Sequence, residues 1–444
     1  MPRPVRHPGE MRWETRLLGM VTAALLVFGV ATTYGAASLV TLQGQSAGLG
    51  FALRQLSGAA FGGVLLLLAS RLDYYRWRQI AWPLLFLTIL FLLIPLLPFT
   101  KGIAPSINGA RRWIDLGLLN FQPSELARLV VVIWCAMLAS KKGAQVREFQ
   151  KGVLPFIVIL GLVSLLILLE PNLSMATLVA LLGGLVLFTS GAKIGHFGLV
   201  AGVGMILVFH QIRDVQYRLA RMLTFLNPGD ATTEAGFQIH QSLVGIGSGQ
   251  LFGVGFGEGQ QKLGYLPYAY SDFLFSTIGE EWGFVGVCVV VALFALFCWL
   301  GFRIARTASD PFGQYLAVGL TATIGLTAFM HMAVSLGLMP TTGLTLPFMS
   351  YGRSSQVISL LGTGILISIG RLRGKPRGMA APTRTGSRPG ASCSSAEAIA
   401  SAGMRWPPVP PPAMSTTFRC EGAGRVIPWV SPVPLSRGRA GARC

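Results

Sequence analysis

The stretch SDFLFSTIGEEWGFVGVCVVVALFALFCWLGF, residues 271–302, decides the fold class, because its apolar run is long enough to cross a membrane. About 20 apolar residues span the hydrocarbon core of a bilayer, and residues 273–302 exceed that length. The run follows one acid, Asp272, and contains two more, Glu280 and Glu281. A charge near the bilayer centre costs at least ~2.5 kcal/mol, so these acids need an internal partner or a chemical role.

The composition of the whole chain agrees with a membrane protein. Of the 444 residues 52% are hydrophobic and 12% are charged, and the mean hydropathy is +0.59, whereas soluble domains carry about 25% charged residues. The net charge of +19 would suit nucleic acid, but ten Lys and Arg against two Asp and Glu lie after residue 373. Much of the remaining excess lies in short loops, as membrane topology requires. The six cysteines and five histidines show neither a metal-ligand spacing nor a disulfide framework.

Apolar runs predict an all-α polytopic membrane protein of about ten transmembrane helices. Basic residues follow every even-numbered helix, which places both termini in the cytoplasm. We therefore expect a cytoplasmic segment at 1–16, a membrane domain at 17–373 with a large extracytoplasmic loop at about 211–271, and a disordered, basic, Pro/Ser/Gly-rich tail at 374–444. The predicted spans are 17–40, 51–70, 80–99, 124–139, 153–169, 174–190, 195–210, 273–302, 314–337 and 351–370.

Two outer loops carry cations against this charge bias, which suggests that they handle an anion; simple solvation of the loops is the alternative. The cations are Lys101, Arg111, Arg112, Arg213, Arg218, Arg221 and Lys262.

The second of these loops contains a GxGxG run at Gly253, Gly255 and Gly257. Nucleotide sites need a strand before such a run and a helix after it. We favour a loop whose backbone approaches another surface, although its amides could also help to hold a pyrophosphate.

The residues alone leave the three acids with two interpretations each. Asp272 could cap the helix that follows it, a role that Ser271 could also fill, or act as a general base with a raised pKa. For Glu280 and Glu281, a structural pairing with a buried cation such as Arg54 is as plausible as a substrate role.

Four separated motifs resemble the SEDS family of shape, elongation, division and sporulation proteins, and the division branch more than the elongation branch. The resemblance extends over about residues 15–373 and implies a ten-helix membrane peptidoglycan glycosyltransferase. The motifs are NGARRWIDLG…FQPSEL (108–126), FQIHQSLVGIGSGQLFGVGFGEGQQKLGYLP (237–267), SDFLFSTIGEE (271–281) and PTTGLTLPFMSYGRSS (340–355).

The resemblance implies that Asp272 is the catalytic residue and that lipid II is the substrate. A sugar hydroxyl of one glycan would attack the anomeric carbon of another, and the undecaprenyl pyrophosphate would leave. It also implies a class B penicillin-binding transpeptidase and other division proteins as partners, at the septal inner membrane. No tightly bound cofactor is expected, although a divalent cation such as Mg²⁺ could assist. Predicted substrate contacts are Arg54, Arg112, Glu125, Arg218, Gln261, Lys262 and Ser350, with Glu280 and Glu281 as structural acids.

The chain departs from the family pattern close to the expected site. Where the family reads LPExHTDF, this sequence has Tyr268 for the acid and Tyr270-Ser271 for His-Thr, while Asn172 and Arg353 replace an acid and a glycine elsewhere. Two other functions would also use such a bundle. A lipid flippase would need a polar path, lined by Glu280 or Glu281, and a division scaffold would need no chemistry at all.

Overall fold

The structure, a computed structural model, describes residues 12–37, 41–42, 45–46, 48–100, 102–106, 110–115, 120–226 and 234–372. Most of the predicted segment 1–16, the whole predicted tail 374–444 and Lys101 lie outside these residues. The described chain is helical except for loops and two short antiparallel hairpins, β1 (Thr41–Leu42) with β2 (Gln45–Ser46) and β3 (Ile114–Asp115) with β4 (Asn120–Phe121).

Ten long helices of the described chain coincide with the ten predicted spans, and three further helices lie between them. In chain order the helices are α1 (Arg12–Ala37), α2 (Gly48–Arg71), α3 (Tyr75–Gln79), α4 (Ala81–Leu93), α5 (Pro123–Lys142), α6 (Leu154–Leu169), α7 (Leu173–Thr189), α8 (Ile194–Arg213), α9 (Gln216–Leu226), α10 (Glu234–Ser248), α11 (Leu274–Arg306), α12 (Pro311–Ser335) and α13 (Arg353–Arg371). The short helix α3 joins α2 to α4. Helices α9 and α10 lie in the predicted large outer loop.

Length and apolar composition alone identify seven membrane-crossing helices in the described chain: α1, α2, α5, a span that includes α6, α8, α11 and α12. Residues Ala81–Leu96 and α7 are apolar but shorter. Helix α13 is too polar for this criterion because one side of it faces protein. Its buried polar residues are Ser354, Ser355, Gln356, Ser359, Thr363 and Ser368.

Helix α13 packs closely along α2, and small residues permit the approach. A Cβ on Gly364 would overlap the backbone of Leu66, and a Cβ on Gly62 would crowd Leu360. The apolar face of α2 that points away from α13 remains exposed, as expected for a helix in contact with lipid. The α2–α13 pair therefore closes one side of the bundle.

Helix α5 lies at the centre of the bundle, in contact with α4, α7 and α12. It carries a buried ion pair, in which Arg128 Nε lies 2.8 Å from Glu125 Oε2. Beside Arg128, between α5, α11, α12 and α13, a small cavity has room for about one water molecule. Thr323, Ser359 and Thr363 contribute the polar part of its lining.

Helix α11 is broken, although its sequence is one continuous apolar run. Gly283 has φ +63° and ψ −162°, which no helical residue adopts, so the helix divides into a first half (274–282) and a second half (284–306). Glycine tolerates this conformation because it has no Cβ. Asp272 precedes the first half, at the end of the bundle where α1 ends and α2 and α13 begin. We call this the site end.

Candidate functional site

Asp272 lies in a tight turn at the site end. The N–H groups of Ser271 and Asp272 each donate to the carbonyl of Tyr268, at 3.0 Å, and Tyr268 has φ +58°. Helix α11 begins with Phe273 as its N-cap residue, and no side chain caps it among the described residues. The helix-capping interpretation of Asp272 and Ser271 is therefore wrong. The residue keeps part of its surface exposed to solvent.

The surroundings of Asp272 favour a general base. Dense packing around the carboxylate raises its pKa, and a hydrogen bond from Ser271 and the positive charge of Arg221 act in the opposite direction. Arg221 belongs to α9, and its Nη1 donates to the carbonyl of Thr341 at 3.0 Å. A Cβ on Gly343 would lie 3.6 Å from Asp272 Oδ2. Helix α9 and the loop after α12 thus form walls around the carboxylate.

A second charged cluster contains Arg112, Glu170 and Arg218. Arg112 donates from Nε to the carbonyl of Glu170 at 3.0 Å and from Nη2 to the carbonyl of Pro171 at 2.6 Å. Burial raises the pKa of Glu170 to about 8, against the lowering effect of Arg112. Burial lowers the pKa of Arg112, the charge of Glu170 acts in the opposite direction, and the positive charge of Arg218 lowers the pKa further. Two cations are therefore close enough to repel each other.

Helix α9 connects the two clusters. Arg218 precedes Arg221 by three residues, so both side chains project from one face of the helix. Arg218 donates to Gln211 Oε1 at 2.7 Å, which ties its guanidinium to the end of α8. The site end thus presents three arginines near two carboxylates, an arrangement suited to a ligand that carries concentrated negative charge.

The tyrosine that replaces the family's histidine packs into an aromatic cluster. The centroid of the Tyr270 ring lies 4.7 Å from the ring centroid of Phe51 and 5.8 Å from that of Tyr351. The Tyr351 N–H donates to the Tyr270 carbonyl at 3.0 Å, and burial raises the pKa of the Tyr270 hydroxyl. These contacts attach the Asp272 turn to α2 and to the start of α13.

Three predicted substrate contacts lie close to the loop before α13 or inside the bundle. Ser350 is buried and its Oγ accepts from the N–H of Leu346 at 2.9 Å. Arg54 is exposed on α2, beside Gln55, whose side chain donates to the carbonyls of residues 349 and 350. Glu125 is buried in its pair with Arg128, away from the exposed surface.

The remaining predicted residues belong to the contact between the second outer loop and α11. Lys262 Nζ lies 3.3 Å from Glu281 Oε1, and both side chains are buried. Glu280 accepts hydrogen bonds from the N–H groups of Gln260 at 2.6 Å and of Gln261 at 3.2 Å. The partner of Glu281 is therefore Lys262 and not Arg54. The GxGxG run approaches the α11 backbone in the same contact, as the favoured interpretation of that run predicted.

The donor set around Asp272 does not fit a protein-held metal ion. In the described part of the chain no three His, Cys, Asp or Glu side chains lie close enough together to bind one. The charged group that acts on Asp272 is Arg221, a cation. Asn172, where the family has an acid, serves instead as the N-cap of α7 and accepts from the Met175 N–H at 3.3 Å.

The sequence indicated Arg221 as one of the outer-loop cations that handle an anion, but not as a substrate contact, and it did not indicate a role for Glu170 or Arg128. The spacing of three between Arg218 and Arg221 was a usable signal, because it places both on one helical face once α9 is recognised. Glu170 gave a weaker signal, as a single acid in a turn between two apolar runs. Arg128 follows Glu125 by three residues, the spacing of a helical ion pair.

Comparisons with known proteins agree with this architecture. A family model described as the FtsW, RodA and SpoVE cell cycle proteins matches residues 15–374. A protein of Geobacter sulfurreducens named probable peptidoglycan glycosyltransferase FtsW is 40% identical over 358 residues, covering 80% of this chain and 95% of its own. A solved structure titled as the structural coordination of polymerization and crosslinking by a peptidoglycan synthase complex aligns with a TM-score of 0.67 and 28% identity, over 81% of this chain and 98% of that chain. The solved structure of the Thermus thermophilus rod shape determining protein RodA aligns with a TM-score of 0.59 and 27% identity, over 81% of this chain and 97% of that chain.

Proposed function

Because the chain belongs to the FtsW, RodA and SpoVE family of cell cycle proteins, we propose that it polymerises lipid II into glycan strands. The protein is a peptidoglycan glycosyltransferase that spans the membrane several times. The observation that carries the chemical assignment is the position of Asp272. The residue keeps part of its surface exposed, its side chain does not cap α11, and burial raises the pKa of its carboxylate, which lies beside Arg221.

In this reaction Asp272 is the general base. Its carboxylate accepts the proton of the acceptor sugar's 4-hydroxyl as the oxygen attacks the anomeric carbon of the donor. The bond between that carbon and the pyrophosphate oxygen breaks, and undecaprenyl pyrophosphate leaves with the bonding electrons. A raised pKa suits a base, because it strengthens the affinity of the carboxylate for the proton that it removes.

The arginines stabilise the leaving group. Arg221 lies beside Asp272, and Arg218 and Arg112 extend the positive charge from α9 toward Glu170. Preorganised cations that face developing negative charge act on the transition state more than on the ground state. Lys262 is neutralised by Glu281, so we assign the pyrophosphate to the three arginines. No step of this mechanism passes through Mg²⁺.

The biological setting completes the proposal. We infer that the protein works with a class B penicillin-binding transpeptidase and other division proteins at the septum of the inner membrane. A structural neighbour whose title couples polymerization to crosslinking supports the partner, and relatives named FtsW support the division setting. The predicted topology places the site end on the outer face, where crosslinking takes place.

Polymerisation of purified lipid II, with and without the transpeptidase, tests the proposal. We expect Asp272→Asn to lower turnover by about 10²- to 10⁴-fold, the usual contribution of a general base. Asp214→Asn is the matched control, because it makes the same change at an exposed acid at the end of α8. Equal glycan synthesis by Asp272→Asn and the wild type would refute the base. Absence of product from the wild type with its partner would favour a flippase or a scaffold.

A further inference from the structure

We propose that the glycine loop 249–257 is a wedge that holds the first half of α11, and that Lys262 and Glu281 are positioning residues for Asp272. The proposal rests on the function assigned to Asp272 above. It starts from the break at Gly283, which leaves the first half of α11 without the support of a continuous helix.

The loop replaces the hydrogen bonds that α11 loses at the break. In an unbroken helix the N–H groups of residues 284 and 285 would donate to the carbonyls of residues 280 and 281. Here both sets of groups bond to the loop instead, so none of the four is left unpaired. The bonds are Phe284 N–H to Gln250 O (2.9 Å), Val285 N–H to Leu251 O (3.1 Å), Val254 N–H to Glu280 O (3.0 Å) and Gly255 N–H to Glu281 O (3.2 Å).

Glycines permit this insertion. A Cβ on Gly253 would overlap the carbonyl of Glu281, and a Cβ on Gly249 would overlap the carbonyl of Gly279. Gly253 also has φ +83°, which favours glycine independently of the contact. The loop therefore fits between the two halves of α11 only because residues 249 and 253 have no side chain.

The depth of the break makes these hydrogen bonds necessary. Gly283 lies nine residues after the start of α11, about 13 Å along the helix at 1.5 Å per residue. Irregular backbone at membrane depth persists only where its polar groups are satisfied by protein. Phe252, at the tip of the loop, is 80% exposed, as expected for a side chain that faces lipid.

Two consecutive acids at the end of the first half hold the segment 260–262, which directly follows the loop. Glu280 accepts the N–H groups of residues 260 and 261, and Glu281 pairs with Lys262 at 3.3 Å. Lys262 Nζ also donates to the carbonyl of Gly257 and, at 3.4 Å, to that of Gly35 on α1. One buried ion pair thus joins the loop, the first half of α11 and α1.

The other end of the first half is held by α10. Ser276 Oγ donates to the carbonyl of Ser242 at 2.8 Å, and Ser242 Oγ donates to that of Ser335 on α12 at 2.8 Å. A Cβ on Gly245 would lie 3.1 Å from Ser276 Oγ. The position of Asp272 is consequently set by α10 and the loop, rather than by the second half of α11.

Two alanine substitutions test the wedge. Gly253→Ala forces a Cβ into α11, whereas Gly191→Ala, the control, has a similar positive φ of +94° and open space around its Cβ. Both sites have a positive φ that disfavours a Cβ, so the difference between the variants reports mainly the contact with α11. For Gly253→Ala we expect faster amide hydrogen exchange at residues 254–255 and 284–285. We also expect kcat to fall about 100-fold with KM unchanged, the effect of a misplacement of about 1 Å.

The ion pair supplies a second test that does not depend on a glycine. Glu281→Gln should lower kcat and shift the acid limb of the pH–rate profile that Asp272 governs. In Glu281→Gln the buried Lys262 ammonium has lost its counter-charge. The double variant with Lys262→Met also removes this unpaired cation, so kcat should recover toward the wild-type value.

Equal loss of kcat in Gly253→Ala and Gly191→Ala would overturn the proposal, as would faster exchange without a change in kcat. If the wild type makes no glycan, the assigned function fails. The exchange comparison of the two alanine variants then still decides whether the loop holds α11.

Discussion

Removal of the charge on Glu125 should destabilise the protein strongly, and removal of its partner's charge as well should reverse most of the loss. The Glu125 and Arg128 side chains are 6% and 1% exposed, and their charged atoms lie 2.8 Å apart. Arg128 also donates to the hydroxyls of Ser355 at 3.2 Å and Ser359 at 3.0 Å. In Glu125→Gln these hydroxyls remain, but the buried guanidinium has lost its counter-charge.

Breaking a buried pair by removing one partner costs about 3–5 kcal/mol. We expect the lower value, about 3 kcal/mol, because two serines still solvate Arg128. That corresponds to roughly a 100-fold larger unfolding equilibrium constant. The double variant Glu125→Gln, Arg128→Met buries no charge, so we expect it to be about 2 kcal/mol more stable than Glu125→Gln alone.

Chemical unfolding of the purified protein in detergent measures the difference. Glu14→Gln is the control, because it breaks the pair between Glu14 and Arg303 at the other end of the bundle, where Arg303 is 31% exposed. We expect that change to cost less than Glu125→Gln. A double variant as unstable as Glu125→Gln would refute the charge argument.

Three further predictions concern the charged clusters and the helix packing. Arg221→Gln removes a cation that lowers the pKa of Asp272, so the acid limb of the pH–rate profile should move to higher pH, whereas Arg221→Lys should leave it in place. Glu170 has a folded-state pKa of about 8 against an ordinary value of 4.5, so its contribution to stability is complete below pH 4.5 and is lost as the pH rises through 8. Unfolding of Glu170→Gln, measured between pH 5 and 9, should therefore show less loss of stability with rising pH than the wild type. Gly364→Leu should separate α13 from α2 and lower the unfolding midpoint sharply, while Gly161→Leu, whose Cβ has open space, should have little effect.

The sequence predicts the helices well because a bilayer imposes a simple length and polarity requirement. All ten predicted spans have a helix in the described chain, and the boundaries of α5, α6 and α7 agree closely. The break in α11 could not be predicted in this way. The predicted span 273–302 passes through Gly283 without interruption, and the break depends on the backbone of a loop about 30 residues earlier in the chain.

The site was predictable only in part, for a related physical reason. Asp272 could be selected because its motif is local and compact. The pairing of Lys262 with Glu281 joins residues 19 apart, and the placement of Arg221 beside Asp272 joins residues 51 apart through an outer loop. The charges and their spacing in the sequence do not predict which cation of a loop lies beside which acid. That pairing depends on how α9 and α10 pack.

The small cavity beside Arg128 bears on how a lipid-linked sugar could move in this protein. The space between α5, α11, α12 and α13 admits about one water molecule, whereas a disaccharide headgroup occupies many times that volume. Thr323 and Thr363, on its wall, already donate to carbonyls within their own helices. Passage of a headgroup through this region would therefore require the four helices to separate.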